Sequence, residues 1–242
     1  MLTGFGMKAN GNGQAALLGG LIALGLIWGG SYLKDAVQIW KQSDRVVSVK
    51  GLAEREVQAD LVLWPLSFSV SADSLESLYT AIDKDRNNIT GFLLQQGFEQ
   101  SELSFSAPVV NDVWANQYGQ QRAPQRYRAD AVLLVRSHKV ALVKNAQPAV
   151  AGLVSQGVLL TQNYEHKTQY IFTGLNDIKP DMIADATANA REAARQFASD
   201  ADAQVGGIRS AQQGYFSITD LDSYTPEIKK IRVVTSVEYL LE

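Results

Sequence analysis

Residues 183–208, IADATANAREAARQFASDADAQVGGI, carry the clearest secondary-structure signal in this chain of 242 residues. Apolar side chains recur there at steps of three and four, which is the spacing of one helix face. Pro180 suits the first turn of such a helix, and Gly206-Gly207 is expected to end it. Because the stripe is mostly alanine, we expect the helix to lie close to a sheet or another helix. The stripe comprises Ile183, Ala186, Ala190, Ala193, Phe197 and Ala201, and the opposite face carries Asp185, Asn189, Glu192 and Gln196.

Two strands are predicted after this helix, at Ile208–Ile218 and Lys230–Leu240. The second alternates between two sets of side chains, which is typical of a strand with one buried face. Its predicted buried set comprises Ile231, Val233, Thr235, Val237 and Tyr239.

The first half of the body also begins with strands. Val46–Val49 predicts a strand that stops at Gly51, and Val57–Ser71 predicts a longer one. Pro65 cannot donate a hydrogen bond to a neighbouring strand, so it indicates an edge or a bulge.

A helix is predicted next, from the capping pattern of Asp73 and Glu76 to Gly97, a residue free to adopt a left-handed cap. A strand follows around Leu103–Val113. The apolar face of this helix is expected to comprise Leu75, Leu78, Tyr79, Ile82, Ile89, Phe92 and Leu93.

The order strand, helix, strand is then predicted a second time. Both helices end at a Gln-Gly pair, and Gly157 follows Gly97 by 60 residues, so we interpret the pattern as a weak internal duplication of a strand–helix–strand unit. Chance similarity stays open as an alternative. The second copy comprises the strand Tyr127–Arg136, the helix His138–Gln156, which Pro148 kinks or restarts, and the extended segment Val158–Phe172.

Strands interleaved with three helices predict an α+β fold, in which a mostly antiparallel sheet is covered by the three packed helices. We place this body at residues 46–242, after a disordered tail at 1–13, a transmembrane helix at 14–34 and a stalk at 35–45.

The transmembrane prediction rests on residues 15–33, AALLGGLIALGLIWGGSYL, which carry no charge and are followed by Lys34. A helix of this length spans roughly the hydrocarbon core of a bilayer. The lack of a small-residue cleavage site favours an uncleaved anchor over a cleaved signal peptide, which stays open. Positive charges on both sides leave the orientation undecided. Gly25 and Gly29 form a small-x-x-x-small pair that permits close contact between anchors.

Composition excludes several classes of function. The absence of cysteine excludes disulfides, thiol catalysis, iron–sulfur clusters and thiolate zinc sites. With a net charge of −3 and no cluster of basic and aromatic residues, we expect no nucleic-acid partner.

The order of motifs along the body resembles the SIMPL domain family (DUF541) of bacterial periplasmic and envelope proteins. The match covers nearly all of residues 46–242. This sequence departs from the family pattern at Ala59, where the family often has proline. The motifs are Val47–Ala53, Val57–Asp60, the helix joint at Gly97, Tyr127–Ala129, the alanine helix Ala184–Ala203, Val205–Ile208 and Val233–Leu240.

This resemblance implies a protein of the export compartment. Together with the predicted anchor, it leads us to expect a protein of the bacterial inner membrane whose C-terminal domain lies in the periplasm. It also implies a role in oxidative or envelope stress tolerance and assembly into a homo-oligomer. The family has no established catalytic residues, so none are carried over. We therefore expect a non-enzymatic, self-assembling envelope protein whose lipid-bilayer contact is residues 15–33.

The polar stretch Trp114–Gln125 is the best candidate for a binding element, with Trp114, Tyr118 and Arg122 as its candidate contacts. The alternative function is therefore a periplasmic ligand- or peptide-binding module that uses this loop. The stretch also fits a plain hairpin connection.

Other chemistry-bearing residues favour structural roles. We expect His138 and His166 to be surface histidines, and no metal or cofactor site. The acidic pairs Glu56/Asp60 and Asp181/Asp185 are better explained by capping and solvated faces than by acid–base catalysis.

Overall fold

A computed structural model of the chain describes residues 45–115, 123–162 and 166–242, with Gly19–Leu21, Gly25 and Trp28. The described residues fall into two compact units. The first contains the described residues up to Leu52, Asp185–Gly214 and Val234–Glu242, and the second contains Ala53–Ala184 and Tyr215–Val233.

From Val46 onwards, the described residues form nine strands and four α-helices, with short 3-10 turns at Gln100–Glu102 and Pro148–Val150. The few described residues nearer the N-terminus are helical. The strands are β1 (Val46–Gln58), β2 (Leu61–Ala72), β3 (Leu103–Phe105), β4 (Val109–Asp112), β5 (Tyr127–Ser137), β6 (Gln169–Ile171), β7 (Val205–Gln213), β8 (Ser217–Asp220) and β9 (Ile228–Leu241). The helices are α1 (Leu75–Gln95), α2 (Val140–Ala146), α3 (Ala151–Ser155) and α4 (Leu175–Asp200).

The strands form two sheets, which confirms the α+β class with antiparallel pairing. One sheet has the order β1-β9-β7, with β8 also paired to β9, and the other has the order β3-β5-β2-β6, with β4 also paired to β5. Four helices replace the predicted three because the second predicted helix divides at Pro148 into α2, a 3-10 turn and α3.

Gly51 does not end a strand, as the sequence had predicted, because β1 continues through it to Gln58. Its real role is to allow a close approach. A Cβ at Gly51 would lie 1.8 Å from the carbonyl oxygen of Ala186 and 2.5 Å from the nitrogen of Ala190. Only a residue without a side chain therefore fits where α4 crosses β1.

Helix α4 is longer at its start than predicted. It begins at Leu175, so Pro180 lies inside it rather than in its first turn. It ends at Asp200, and the left-handed turn is made by Asp202 (φ 50°) instead of by Gly206-Gly207, which belong to β7.

The buried stripe of α4 follows a strict four-residue step. Ala186 and Ala190 are buried as predicted, but Phe197 is 61% exposed, and Ala201 lies beyond the helix end. The stripe drifts around the helix because four residues rotate about 400°, which is about 40° more than one full turn. Its members are Met182, Ala186, Ala190, Ala194 and Ala198.

The core of the first unit is small. Ala190 and Ala194 pack with Val49, Val237 and Tyr239 in one buried cluster. The predicted inward set of the closing strand is confirmed, since every one of its members is buried: Ile231, Val233, Thr235, Val237 and Tyr239.

In the second unit, α1 is capped by Ser74, whose hydroxyl accepts the Ser77 amide, and not by Asp73. Leu75 and Tyr79 were predicted to be core residues but are 48% and 53% exposed. In the first two turns of α1, these two side chains therefore point towards solvent. The residues of α1 that are buried are Leu78, Ile82, Asp85, Ile89 and Leu93.

The joints that follow the two helices of the second unit share one geometry. Gly97 and Gly157 both have positive φ, at 96° and 88°. Phe98 donates to the Leu93 carbonyl, and Val158 donates to the Leu153 carbonyl, which is the same relation 60 residues later. In the order β3-β5-β2-β6, the strand after each helix pairs with the strand before the other helix. The topology is that of two interlocked strand–helix–strand units.

Several predicted strands are shorter than expected because turns interrupt them. The strand predicted at Val57–Ser71 begins at Leu61 instead, because a turn at Ala59-Asp60 separates β2 from β1. The predicted strand Leu103–Val113 divides into β3 and β4, and Ile208–Ile218 divides into β7 and β8. Among the described residues of Val158–Phe172, only Gln169–Ile171 forms a strand, although Leu160 makes a single bridge to Phe68.

The predicted anchor lies almost wholly outside the described residues, as do the predicted tail and stalk. Gly25 is helical, and Gly29 is outside the described residues. Within the described part of the chain, none of the helices combines the length and apolarity that a membrane crossing requires.

The alanine stripe leads to a stability prediction. Ala190→Leu should lower the free energy of unfolding by ~1–3 kcal/mol, because the larger side chain overpacks the contact with β1. Chemical denaturation of the purified protein measures this change.

Ala188→Leu is the matched control, since Ala188 is an exposed alanine of the same helix. Asn189 is unsuitable, because its side chain donates to the Leu52 carbonyl at 2.7 Å. Equal destabilisation by the two leucine substitutions would contradict the assigned face.

Candidate functional site

A groove of about 1130 Å³ lies on one face of the five-stranded sheet. Alternate residues of β2 and β5 point into the core, and those between them face the groove. The floor is a half-buried apolar group formed by Leu63, Pro65, Val132 and Leu134. Pro65 and Leu134 are direct cross-strand neighbours. We call this concavity the sheet groove.

Among the described residues, the outer edge of β2 beside the sheet groove is paired in two separate stretches. Leu61–Leu63 pair with β6, and farther along the Ser67 carbonyl and the Ser69 amide bond to Thr161 and Leu159. Pro65 lies between these two paired stretches, where a donor is not needed. The expectation of an interrupted edge at Pro65 is confirmed.

The rim of the sheet groove is polar. Arg128 and Asp130 form an ion pair at 3.3 Å. Lys167 and His166 line the same groove, and the His166 Nδ1 lies 3.5 Å from the Ser67 hydroxyl. An apolar floor inside such a rim suits a ligand surface that is apolar at its centre and polar around it.

Trp114, the first candidate contact of the predicted binding loop, is used by the hairpin itself. Its indole nitrogen donates to the Ala123 carbonyl at 3.1 Å, and its amide donates to the Asp112 carboxylate at 3.1 Å. The Arg126 guanidinium lies 5.8 Å from the centre of its ring. Tyr118 and Arg122 lie outside the described residues.

The same hairpin is tied by an ion pair. Arg126 bonds to the Asp112 carboxylate at 2.8 Å. This hydrogen bond lowers the pKa of Asp112 and raises the pKa of Arg126. These contacts join the two described ends of the hairpin to each other.

The Asp60 carboxylate has a structural role, because its oxygens accept hydrogen bonds from the chain next to it. Its carboxylate accepts the Thr173 amide at 2.9 Å, the Thr173 hydroxyl at 3.0 Å and the Gly174 amide at 3.1 Å. These donors immediately precede α4, so the carboxylate fixes the entry to that helix. Its backbone carbonyl lies 2.6 Å from His138 Nδ1. His138 therefore helps to fix the same turn.

The other predicted acidic residues are more peripheral. Glu56 and Asp185 are exposed, and Asp181 approaches Arg55 at 4.0 Å. Within the described residues, no three side chains of histidine, cysteine, aspartate or glutamate cluster as a metal site would require.

An ion pair that the sequence had not indicated joins Lys144 of α2 to Glu227, a residue that is only 7% exposed. The hydrogen bond from Lys144 lowers the pKa of Glu227, and Glu227 in turn raises the pKa of Lys144. Burial raises the pKa of nearby Tyr170, and the charge of Glu227 adds to this effect. No sequence signal reveals the pair, because 83 residues separate its members.

Comparison with known families gives one result. The family model SIMPL, described as a protein of unknown function (DUF541), matches residues 47–237. The chain belongs to the SIMPL family. The resemblance inferred from the motifs of the body is therefore confirmed. No match was found among curated proteins.

The contacts of Asp60 make its role in the SIMPL body testable. Asp60→Ala should lower the free energy of unfolding by about 1.5–3 kcal/mol, because it leaves amide donors of the α4 entry without their charged acceptor. Urea denaturation measures the loss. Glu56→Ala, at an exposed neighbouring carboxylate, should change little, and an equal effect at both positions would contradict the structural role of Asp60.

Proposed function

We propose that this SIMPL-family protein is a membrane-anchored, non-enzymatic envelope protein that self-assembles through its body, residues 46–242. We further propose that it acts in tolerance of oxidative or envelope stress. The observation that carries the proposal is the exposed edge strand β7.

β7 has the sequence VGGIRSAQQ and stands at the end of its sheet. Its residues from Gly207 to Gln213 are exposed, and within the described residues no strand pairs with its outer side. Natural edge strands are usually protected by proline, by lysine, by β-bulges or by short length. β7 has nine residues, no proline and no lysine, and its only charge is Arg209. Its register shifts lie between Val205 and Ser210, so the regular stretch open to pairing is Ser210–Gln213.

The opposite edge of this sheet is better protected. β1 carries the charges Lys50, Glu54, Arg55 and Glu56. Charged edges resist pairing with another chain. β7 is therefore the edge of this sheet that favours a second strand.

The register of β7 allows it to pair with a second copy of itself. Gly214 donates to the Val234 carbonyl, so Gln212 and Ser210 also face β9 and the amide of Ala211 points outward. Antiparallel pairing of two copies about Ala211 places Arg209 opposite Gln213. No like charges oppose one another in this arrangement.

Membrane anchoring supports assembly by raising the local concentration of bodies. We place residues 15–33 in the bacterial inner membrane, with the body in the periplasm. Gly25 and Gly29 would let two anchors approach closely.

A ligand- or peptide-binding module is the second candidate function. The sheet groove favours it, because concave sites with an apolar floor and a few polar groups commonly hold ligands. The 114–125 loop supports it less, since the indole and amide of Trp114 bond within the hairpin.

The assembly proposal makes a direct prediction. The full chain in detergent should have a protein mass by light scattering above that of one chain, and residues 46–242 alone should also associate. Ala211→Pro should reduce this mass, because proline removes an outward amide while leaving the bonds to β9 in place. Ala211→Ser keeps the amide and should behave like the wild type. A monomeric wild type at micromolar concentration would remove the assembly proposal.

Topology provides a separate prediction. A reporter that fluoresces only in the cytoplasm, fused after Glu242, should stay dark in bacteria if the body is periplasmic. The same reporter fused to the body without residues 1–45 should fluoresce. A bright full-length fusion would refute the proposed location.

A further inference from the structure

One carboxylate of the second unit is buried between a helix and the sheet. Asp85 of α1 is only 8% exposed and lies on the buried face of the helix, between Ile82 and Ile89. Every other buried residue of α1 is leucine or isoleucine. Among the described residues, no hydrogen bond or ion pair reaches the Asp85 carboxylate. A buried carboxylate without a partner is costly when it is ionised, because burial removes its hydration.

The fold does not require a charge at such a position. Ile82 packs in a cluster with Ala72, Leu78 and Ala129, so the carboxylate adjoins an apolar contact between helix and sheet. The second strand–helix–strand segment has no acid or base on the buried faces of its helices α2 and α3. Its buried helical residues are Val140, Val143, Ala146 and Leu153.

The charged neighbours of Asp85 on its own helix do not neutralise it. Arg86 forms an ion pair with Asp83 at 3.2 Å. Lys84 is exposed, and consecutive residues of a helix do not face each other. Lys84 therefore acts on the Asp85 carboxylate only through its field.

The elements packed against α1 also leave Asp85 without a counter-charge. β2 and α3 contain no charged residue. The charged pair of β5, Arg128 and Asp130, lines the sheet groove on the other face of the sheet. On the side of α1, β4 carries Asp112, which is already paired, and β5 carries Tyr127, which packs against the cluster of Ile82.

This environment fixes the direction of the pH response. Burial raises the pKa of Asp85, and the charge of Lys84 opposes part of this change. A carboxyl group whose pKa is higher in the folded than in the unfolded chain favours the folded state in acid, and this contribution is lost as the pH rises through the folded-state pKa. Glu227 responds in the opposite direction. The hydrogen bond from Lys144 lowers its pKa, so its contribution is lost as the pH falls.

We propose that Asp85 makes the docking of α1 on the five-stranded sheet dependent on pH. The protonated carboxyl group keeps the helix closed, and the ionised carboxylate raises the frequency with which the helix opens. Local openings of this kind expose a buried face without global unfolding. An open α1 exposes Leu78 and Ile82 together with the apolar side chains beneath them. The second unit therefore presents this apolar surface more often at neutral pH and withdraws it in acid.

The test measures amide hydrogen exchange in residues 75–95 of the full chain in detergent, from about pH 8 to about pH 4, with each rate corrected for the intrinsic rate at that pH. In the wild type, opening of α1 should become roughly tenfold rarer or more towards acid, which is the scale of leaving a buried polar group without a partner. Asp85→Asn removes the charge and nearly keeps the shape. Its α1 should open as rarely at the alkaline end as the wild type does in acid.

Asp83→Asn is the matched control, since it removes an exposed carboxylate from the same helix. It should keep the pH dependence of the wild type. Asp85→Leu is a second variant that matches the apolar neighbours, and it should also open rarely throughout the range. A wild type whose α1 opens equally often at both ends of the range would overturn the proposal, as would a pH dependence that persists in Asp85→Asn. If neither variant at position 85 folds, the carboxylate is required for the structure itself and the proposal fails.

Discussion

The close contact between α4 and β1 is the constraint on which the first unit depends. Gly51 leaves no room for a side chain beneath Ala186 and Ala190, so helix and strand meet almost backbone to backbone. An alanine stripe buries little apolar area per residue, and at ~25 cal/mol per Å² it contributes less than leucine would. Stability here comes from tight complementarity, because every small side chain is matched to a short distance. That explains why the unit needs glycine and alanine at fixed positions rather than a large apolar core.

The second unit is built from two similar strand–helix–strand segments. Two strand–helix–strand units interlock, and each supplies a helix that ends at a glycine with positive φ, Gly97 or Gly157. The helices cover one face of the sheet and leave the sheet groove on the other. The groove is thus a consequence of the architecture.

Sequence periodicity predicted the helices and the closing strand well, because those elements are set by local spacing. The sequence-based prediction was wrong where one residue type can play two structural roles, as glycine can in a helix end or inside a strand. Gly51 was interpreted as a stop signal, and Gly206-Gly207 as a helix end, although all three lie in strands. Phe197 fitted the apolar spacing but faces solvent, since the buried stripe drifts along α4. The groove could not be predicted, because its floor joins Leu63 and Pro65 to Val132 and Leu134, which only the strand register brings together.

The charged residues around the site have identified structural partners. Asp60 holds the entry to α4, Asp112 and Arg126 tie a hairpin, and Lys144 holds Glu227. Each of these charged groups thus fixes a chain segment. Among the described residues, the fold leaves an exposed edge at β7 and an apolar groove on the five-stranded sheet. Each surface alone binds weakly, since a single strand pair buries little area compared with a stable interface. With the proposed anchoring, tethering copies to one membrane would make such weak contacts effective, because linked binding events gain from high local concentration.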